Sequence, residues 1–176
     1  MTDLITLAEY KEYKQVNNPE KDALYSQLIT SVSNLIKTYC GKTFIDHYIE
    51  PLEEIHTVKK GMSAIILQET PVKVVSAVTW NLEDITPYIS IDTELGIIYH
   101  ATQFTPGIEN LRITYTGGYE STPADIKLAA MELVDYYAQG EHTARKTFGG
   151  SSVEYHPDKN KWPFHIQAIL DSHRDV

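Results

Sequence analysis

The sequence predicts an α+β protein: a helical bundle of two long antiparallel helices plus short helices, with an inserted antiparallel β module and a C-terminal arm ending in a helix. Three observations carry this reading. Residues 20–39 and 123–139 each repeat apolar side chains every three or four positions, the period of an amphipathic helix. Between them, from Thr43 to Gly117, short segments rich in Ile, Val, Tyr and Thr are broken by Gly and Pro, the pattern of strands and turns. At 176 residues the chain has the length of one domain with an arm, and a chain of that size buries roughly 70% of its unfolded surface.

Taken in order, Thr6 and Glu9 form a capping box ahead of LAEYKEYK and predict a short helix over 7–14. Asn18 and Pro19 start a second helix at about 20–39. Its stripe is Leu24, Leu28, Val32, Leu35, Ile36 and Tyr39, and Gly41 closes it. The β module at about 43–117 contains FIDHYIE, EIHTVKK, AIILQE, VKVVSAVTW, YISID, GIIYH and LRITYT, each read as a strand. ISIDTELGIIYH reads as a hairpin turning near residues 93–96, and KKGM at 59–62 as a further turn. In the last strand Ile113 and Tyr115 alternate with Arg112, Thr114 and Thr116. Gly117 and Gly118 then stop it.

Thr122, Pro123 and Asp125 form a strong helix start, with Thr122 as cap, Pro123 at the first helical position and Asp125 completing a T-x-x-D box. The helix that follows, 123–139, carries Ile126, Ala129, Ala130, Leu133, Val134 and Tyr137 on its core face. Residues 1–140 therefore form a body. Residues 141–176 form an arm whose EHTARKTFGGSSVEYHPDKNKW lacks sustained periodicity and is expected to be mobile, ordered by contact. A terminal helix at about 163–173 recovers the period with Ile166, Ile169 and Leu170.

The charge is unevenly spread. Residues 1–140 hold 10 Lys and Arg against 19 Asp and Glu, the whole of the net −9, while residues 141–176 hold 5 of each and four of the seven histidines. An acidic body is unsuited to holding nucleic acid by phosphate neutralisation, which needs clustered Lys and Arg. Neither a signal peptide nor a membrane span is expected. The single Cys40 excludes an intramolecular disulfide and fits a reducing cytoplasm.

Catalytic patterns are weak. None of the histidines has a metal-ligand spacing, Gly149-Gly150-Ser151-Ser152 has no strand-turn-helix context, and Gly117-Gly118 lacks the further glycines and the Lys of a phosphate loop. Glu53-Glu54 and Glu83-Asp84 are neighbours on strands and point to opposite faces, which suits solvated edges better than an acid/base dyad. No catalytic residue, cofactor or metal is expected. Twelve tyrosines and two tryptophans are more telling, because these side chains concentrate at interfaces. Trp162 and Phe164, apolar anchors in a polar stretch, serve either an interface or the chain's own core.

The order of these pieces resembles a known family. A short L-x-E-Y-K helix, DALYSQLITSVSNLIKTYCGKTF, LQETPVKVVSAV, ITYTGGYESTPADIKLAAMELV and a closing PFHIQAILDSHR look like the head-tail connector, or adaptor, proteins of tailed bacteriophages. The resemblance implies a non-enzymatic virion protein at the head-tail junction, made in the host cytoplasm. It implies a ring, commonly of twelve subunits, beneath the portal protein, which receives a stopper or tail-completion protein. Viral DNA passes through without tight binding, no membrane is involved, and β-hairpin tips face the tail side. Carried onto this chain, the arm grips the portal through Trp162, Phe164, Ile166, Ile169, Leu170 and Arg174. Lys127, Glu132 and Asp135, off the core stripe of helix 123–139, face a neighbouring subunit or the channel. Two alternatives remain open: a tail-terminator or stopper ring protein, and a small phage hydrolase.

Overall fold

The computed structural model describes residues 2–139, 145–148, 151–154 and 162–174. In chain order the elements are α1 (Leu7–Lys14), a 3₁₀ turn (Pro19–Lys21), α2 (Asp22–Cys40), β1 (Leu52–Val58), β2 (Ala64–Ile66), β3 (Val72–Trp80), β4 (Glu83–Asp84), a second 3₁₀ turn (Thr86–Tyr88), β5 (Ile89–Asp92), β6 (Ile97–His100), β7 (Gly107–Gly117), α3 (Ala124–Gln139), β8 (Arg145–Phe148), β9 (Ser151–Glu154) and α4 (Phe164–Ser172). They divide into two compact units, Met1–Gly41 with Thr122–Val176, and Lys42–Ser121.

In the helical unit the local signals act as expected. Thr6 Oγ1 accepts the Glu9 amide at 3.2 Å and Glu9 Oε2 accepts the Thr6 amide at 2.7 Å, so the box starts α1. Asn18 Oδ1 accepts the Glu20 amide at 3.0 Å, and Gly41, at φ 72°, ends α2. The α3 stripe of Ile126, Ala129, Ala130, Leu133 and Val134 is buried, with Tyr137 half-buried. The phase of α2 differs from the predicted stripe. Leu24 and Leu35 are exposed, and the buried face is Ile29, Val32, Ser33, Ile36, Lys37 and Cys40. The cause lies upstream: Leu4 and Ile5 are buried, the Leu4 amide donates to Ser33 Oγ at 2.9 Å, and Lys37 Nζ donates to the Thr2 carbonyl at 2.7 Å. Burial of the two polar side chains is tolerated because they are hydrogen-bonded. Asp125, expected to complete a capping box, turns its carboxylate to the Ile126 amide at 2.9 Å and to His173.

Within the stretch between α3 and α4, for which no strand was read from the sequence, β8 and β9 form an antiparallel pair, with Arg145 opposite Glu154 and Phe148 opposite Ser151. The mobility expected of the other residues between 140 and 161 lies outside the described residues.

The second unit holds two antiparallel sheets, of order β1-β7-β3-β4 and β2-β6-β5. On β7, Leu111, Ile113 and Tyr115 enter the core with Val58, Val72, Val78, Ile98 and Phe104, while Arg112, Thr114 and Thr116 take the other face. The expected hairpin is present, with Asp92 opposite Ile97. Residues 59–62 form the expected turn, closed by the Met62 amide on the Lys59 carbonyl at 3.3 Å, and lead from β1 of one sheet to β2 of the other. FIDHYIE is a run of bends and turns rather than a strand. The carboxylate of Glu69, itself buried, accepts the amides of Thr43 at 2.5 Å and Phe44 at 3.3 Å, and the Phe44 carbonyl accepts the Tyr119 amide at 2.6 Å. Those bonds replace a ladder. They also require a glycine at 118, where φ is 86° and a Cβ would collide with the Phe44 carbonyl oxygen.

Candidate assembly surfaces

The residues singled out for portal contact fall into different environments. Ile166 and Leu170 are buried in the helical unit, and Ile169 is half-buried. Trp162 Nε1 donates to the Tyr137 hydroxyl at 3.1 Å, and its ring lies 5.0 Å from that of Tyr39. Arg174 sits over the same Tyr39 ring at 5.3 Å. The Tyr39 hydroxyl donates to Asp171 at 2.5 Å, and this carboxylate raises the hydroxyl's pKa. These contacts seat α4. Phe164 differs, being 86% exposed at the first turn.

Two histidine-carboxylate pairs join α4 to α3. His173 Nε2 lies 2.6 Å from Asp125 Oδ2 and His165 Nε2 lies 2.9 Å from Glu132 Oε2, the latter at ion-pair distance but without hydrogen-bond alignment. Burial opposes ionisation of Asp125, but the bonds from His173 and the Ile126 amide win, and its pKa is lowered.

Lys127 and Asp135, predicted to face a neighbour or the channel, are engaged inside the chain. Lys127 Nζ meets Glu9 Oε1 at 2.5 Å and Lys14 Nζ meets Asp135 Oδ1 at 2.8 Å. With Glu132 on His165, all three charges on this face have partners within the unit. The Lys127 bond, with the Thr6 amide, holds the Glu9 carboxyl down to about 2. Leu128, between these charges on α3, is the exposed apolar side chain there.

In the second unit, Glu53 and Glu54 do point to opposite faces, but only Glu53 is solvated. Glu54 accepts the Tyr115 hydroxyl and the Gln68 amide at 2.9 Å and lies 2.9 Å from His56 Nε2. Burial raises its pKa, yet the bonds from His56, Tyr115 and Gln68 prevail and the carboxyl is held below the ordinary carboxylate value. Tyr115 also accepts the Glu69 amide at 2.8 Å, so the group is a hydrogen-bonded structural network anchored on a buried ring. Among the described residues, no cluster of three or more His, Cys, Asp or Glu could hold a metal ion. No described helix is long and apolar enough to cross a membrane.

One surface was missed from sequence. Leu82 and Ile108 are 93% and 85% exposed at the same end of the four-stranded sheet, where Trp80 pairs with both Glu83 and Leu111. Asn81-Leu82 is a two-residue hairpin loop with φ of 51° and 70°, the positive pattern that normally takes Asn-Gly. The short spacing between VTW and ED was the available signal, but Leu in second place hides it.

A family model described as head completion protein matches residues 3–176. The head completion protein of Escherichia phage T5 is 28% identical over 174 residues, spanning 98% of this chain and 99% of that one. The fold resembles a chain in the neck of an empty gene transfer agent particle computed with C6 symmetry, with TM-score 0.63, 16% identity, and coverage of 98% of this chain and 90% of that one. It also resembles a chain in the neck of the native particle computed with C12 symmetry, with TM-score 0.60, 16% identity, and coverage of 99% and 94%.

Proposed function

The chain belongs to the head completion protein family, and from that membership we propose that it acts as an adaptor ring seated beneath the portal protein. It is a structural protein of the virion head-tail junction and not an enzyme. The observation that carries the finer reading is the match of nearly its whole length to a head completion protein. In the proposal, twelve copies extend the DNA channel and offer a docking surface to a stopper or tail-completion protein, with the β5–β6 hairpin on the tail side.

The physical chemistry supports this role. Residue pairs run Thr30 with Asp3 and Asp22 with Lys11, but Lys127 with Glu9 and Asp135 with Lys14, so α2 and α3 run in opposite senses and serve as the ring body. A body of net −9 does not adhere to phosphates and lets DNA slide. The α3 face with Lys127, Glu132 and Asp135 borders a neighbour or the channel, its charges already paired and its polarity kept. Residues 141–176 remain the portal-binding arm. Within them Ile166, Ile169 and Leu170 hold α4 in place, and Phe164, flanked by Trp162, makes the contact, with Arg174 at the far end of the helix.

The test is Phe164→Glu, assayed by cosedimentation with purified portal rings. An unchanged circular dichroism spectrum with roughly tenfold weaker portal binding is expected, as for an interface anchor. Undiminished binding contradicts the assignment.

A further inference from the structure

The outer face of α2 is built without charge. Residues 23–36 hold no Asp, Glu, Lys, Arg or His, the longest such stretch in the chain. On that run Leu24, Leu28, Ser31 and Leu35 follow one another at spacings of four, three and four, the seam pattern of a helix that meets another helix. The row turns away from the buried face of Ile29, Val32, Ile36 and Cys40: Leu24 is 46% and Leu35 37% exposed, Ser31 is exposed and Leu28 half-buried. Gln27, Asn34 and Thr38 beside it are exposed and uncharged as well. The charges that border α2 are engaged, Asp22 with Lys11, Asp3 with Thr30, and both Asp171 and Arg174 with Tyr39.

A surface helix normally carries charged side chains opposite its core face, and depletion of charge marks the centre of an interface. The missing charge also selects the occupant. Nucleic acid would be held by Lys and Arg and a basic partner by Asp and Glu, and this face has neither. A second copy is the partner certain to bring the same net −9, and like-charged copies approach with least repulsion where the surface carries no charge. A face used against itself ends in a pair, whereas a ring needs two different faces on each copy. The outer side of α3 supplies the other. Leu128 is 40% exposed there, and Lys127, Glu132 and Asp135 around it have their partners within their own unit.

We infer that the uncharged face of α2, with Leu24, Leu28, Ser31 and Leu35, seats a second copy of the chain through the outer side of that copy's α3 around Leu128. The inference rests on the reading that the chain works as a ring.

Thiol cross-linking tests it. Ser31→Cys and Leu128→Cys are made in separate, differently tagged chains; both positions are exposed, and native Cys40 is buried. The mixture is treated with a short flexible bis-maleimide, free and on portal rings. The contact predicts cross-dimers of Ser31→Cys with Leu128→Cys, and none from either variant alone. Leu35→Glu added to the Ser31→Cys chain should lower the yield roughly tenfold with an unchanged circular dichroism spectrum, as for a charge set into an interface core. Leu82→Glu, at an exposed position of the other unit, should leave the yield unchanged. Absence of cross-dimers in both settings, an undiminished yield with Leu35→Glu, or dimers of Ser31→Cys with itself overturns the contact. A chain that seats on portals without cross-dimers sinks this inference and spares the ring reading. Cross-dimers in a chain that ignores portals uphold the contact and count against that reading.

Discussion

Tyr115→Phe removes one hydroxyl and nothing else, and its effect follows from the network around Glu54. The ring is fully buried, so phenylalanine leaves no cavity. Two bonds disappear: the donation to Glu54 Oε1 and the acceptance of the Glu69 amide at 2.8 Å. A bond to a charged acceptor is worth about 1.5–3 kcal/mol, and a buried amide left without a partner costs about 1–3 kcal/mol. The two losses overlap in one site, so the expected destabilisation is about 2–4 kcal/mol. Urea denaturation reads it, with Tyr88→Phe, on an exposed ring, as a control expected within about 0.5 kcal/mol of wild type. The pH dependence supplies a second readout. The Glu54 carboxyl is held below its ordinary 4.5, so its stabilisation is complete above that value and lost as pH falls below it. The variant, lacking one of the bonds that lowers this pKa, should lose less stability on acidification. A Tyr115→Phe protein within 0.5 kcal/mol of wild type would refute the network.

Leu82→Gly should stabilise the free chain by about 0.5–1 kcal/mol, because the relief of a left-handed leucine, roughly 1–2 kcal/mol, exceeds the added glycine entropy of about 0.5–1 kcal/mol; thermal unfolding checks the sign. Leu170→Ala empties a fully buried site and should cost about 2–5 kcal/mol by denaturation, whereas Phe164→Ala should change stability by less than about 0.5 kcal/mol. A double-mutant cycle on Glu9 and Lys127, each about a third exposed, should give a coupling of only about 0.5 kcal/mol because solvent screens it. Since Glu9 is held down to about 2 from 4.5, that coupling should be present at neutral pH and fade as pH falls from 4.5 through 2.

What the sequence reveals tracks how local its cause is. Thr6 and Glu9 are three residues apart and fold as written, as do the α3 stripe and the alternation of β7. The phase of α2 was set by Leu4 and Thr2 lying across it, contacts 29 and 35 residues distant, so a stripe counted from the helix alone selected Leu24 and Leu35. FIDHYIE has strand composition, but Glu69, 25 residues away, takes the amide of its first residue, Phe44, and that of Thr43 just before it. Lys127, Glu132 and Asp135 were legible as off the core; their partners Glu9, His165 and Lys14 were not, because pairing across helices depends on packing that no period encodes. Ile166 and Leu170 were legible as apolar, and an apolar stripe reads the same whether it covers the chain's own core or a partner. At Leu82 the short spacing between VTW and ED was the one signal, and it was masked because a left-handed leucine violates the turn rule that would have marked the loop.

The central claim is a ring at the head-tail junction, and electron cryo-microscopy of the chain mixed with its portal tests it most directly. The account predicts a ring of this fold beneath the portal, twelve copies around an open channel, with Phe164 against the portal. Portals that emerge bare, or copies bound singly without contact between neighbours, would contradict it.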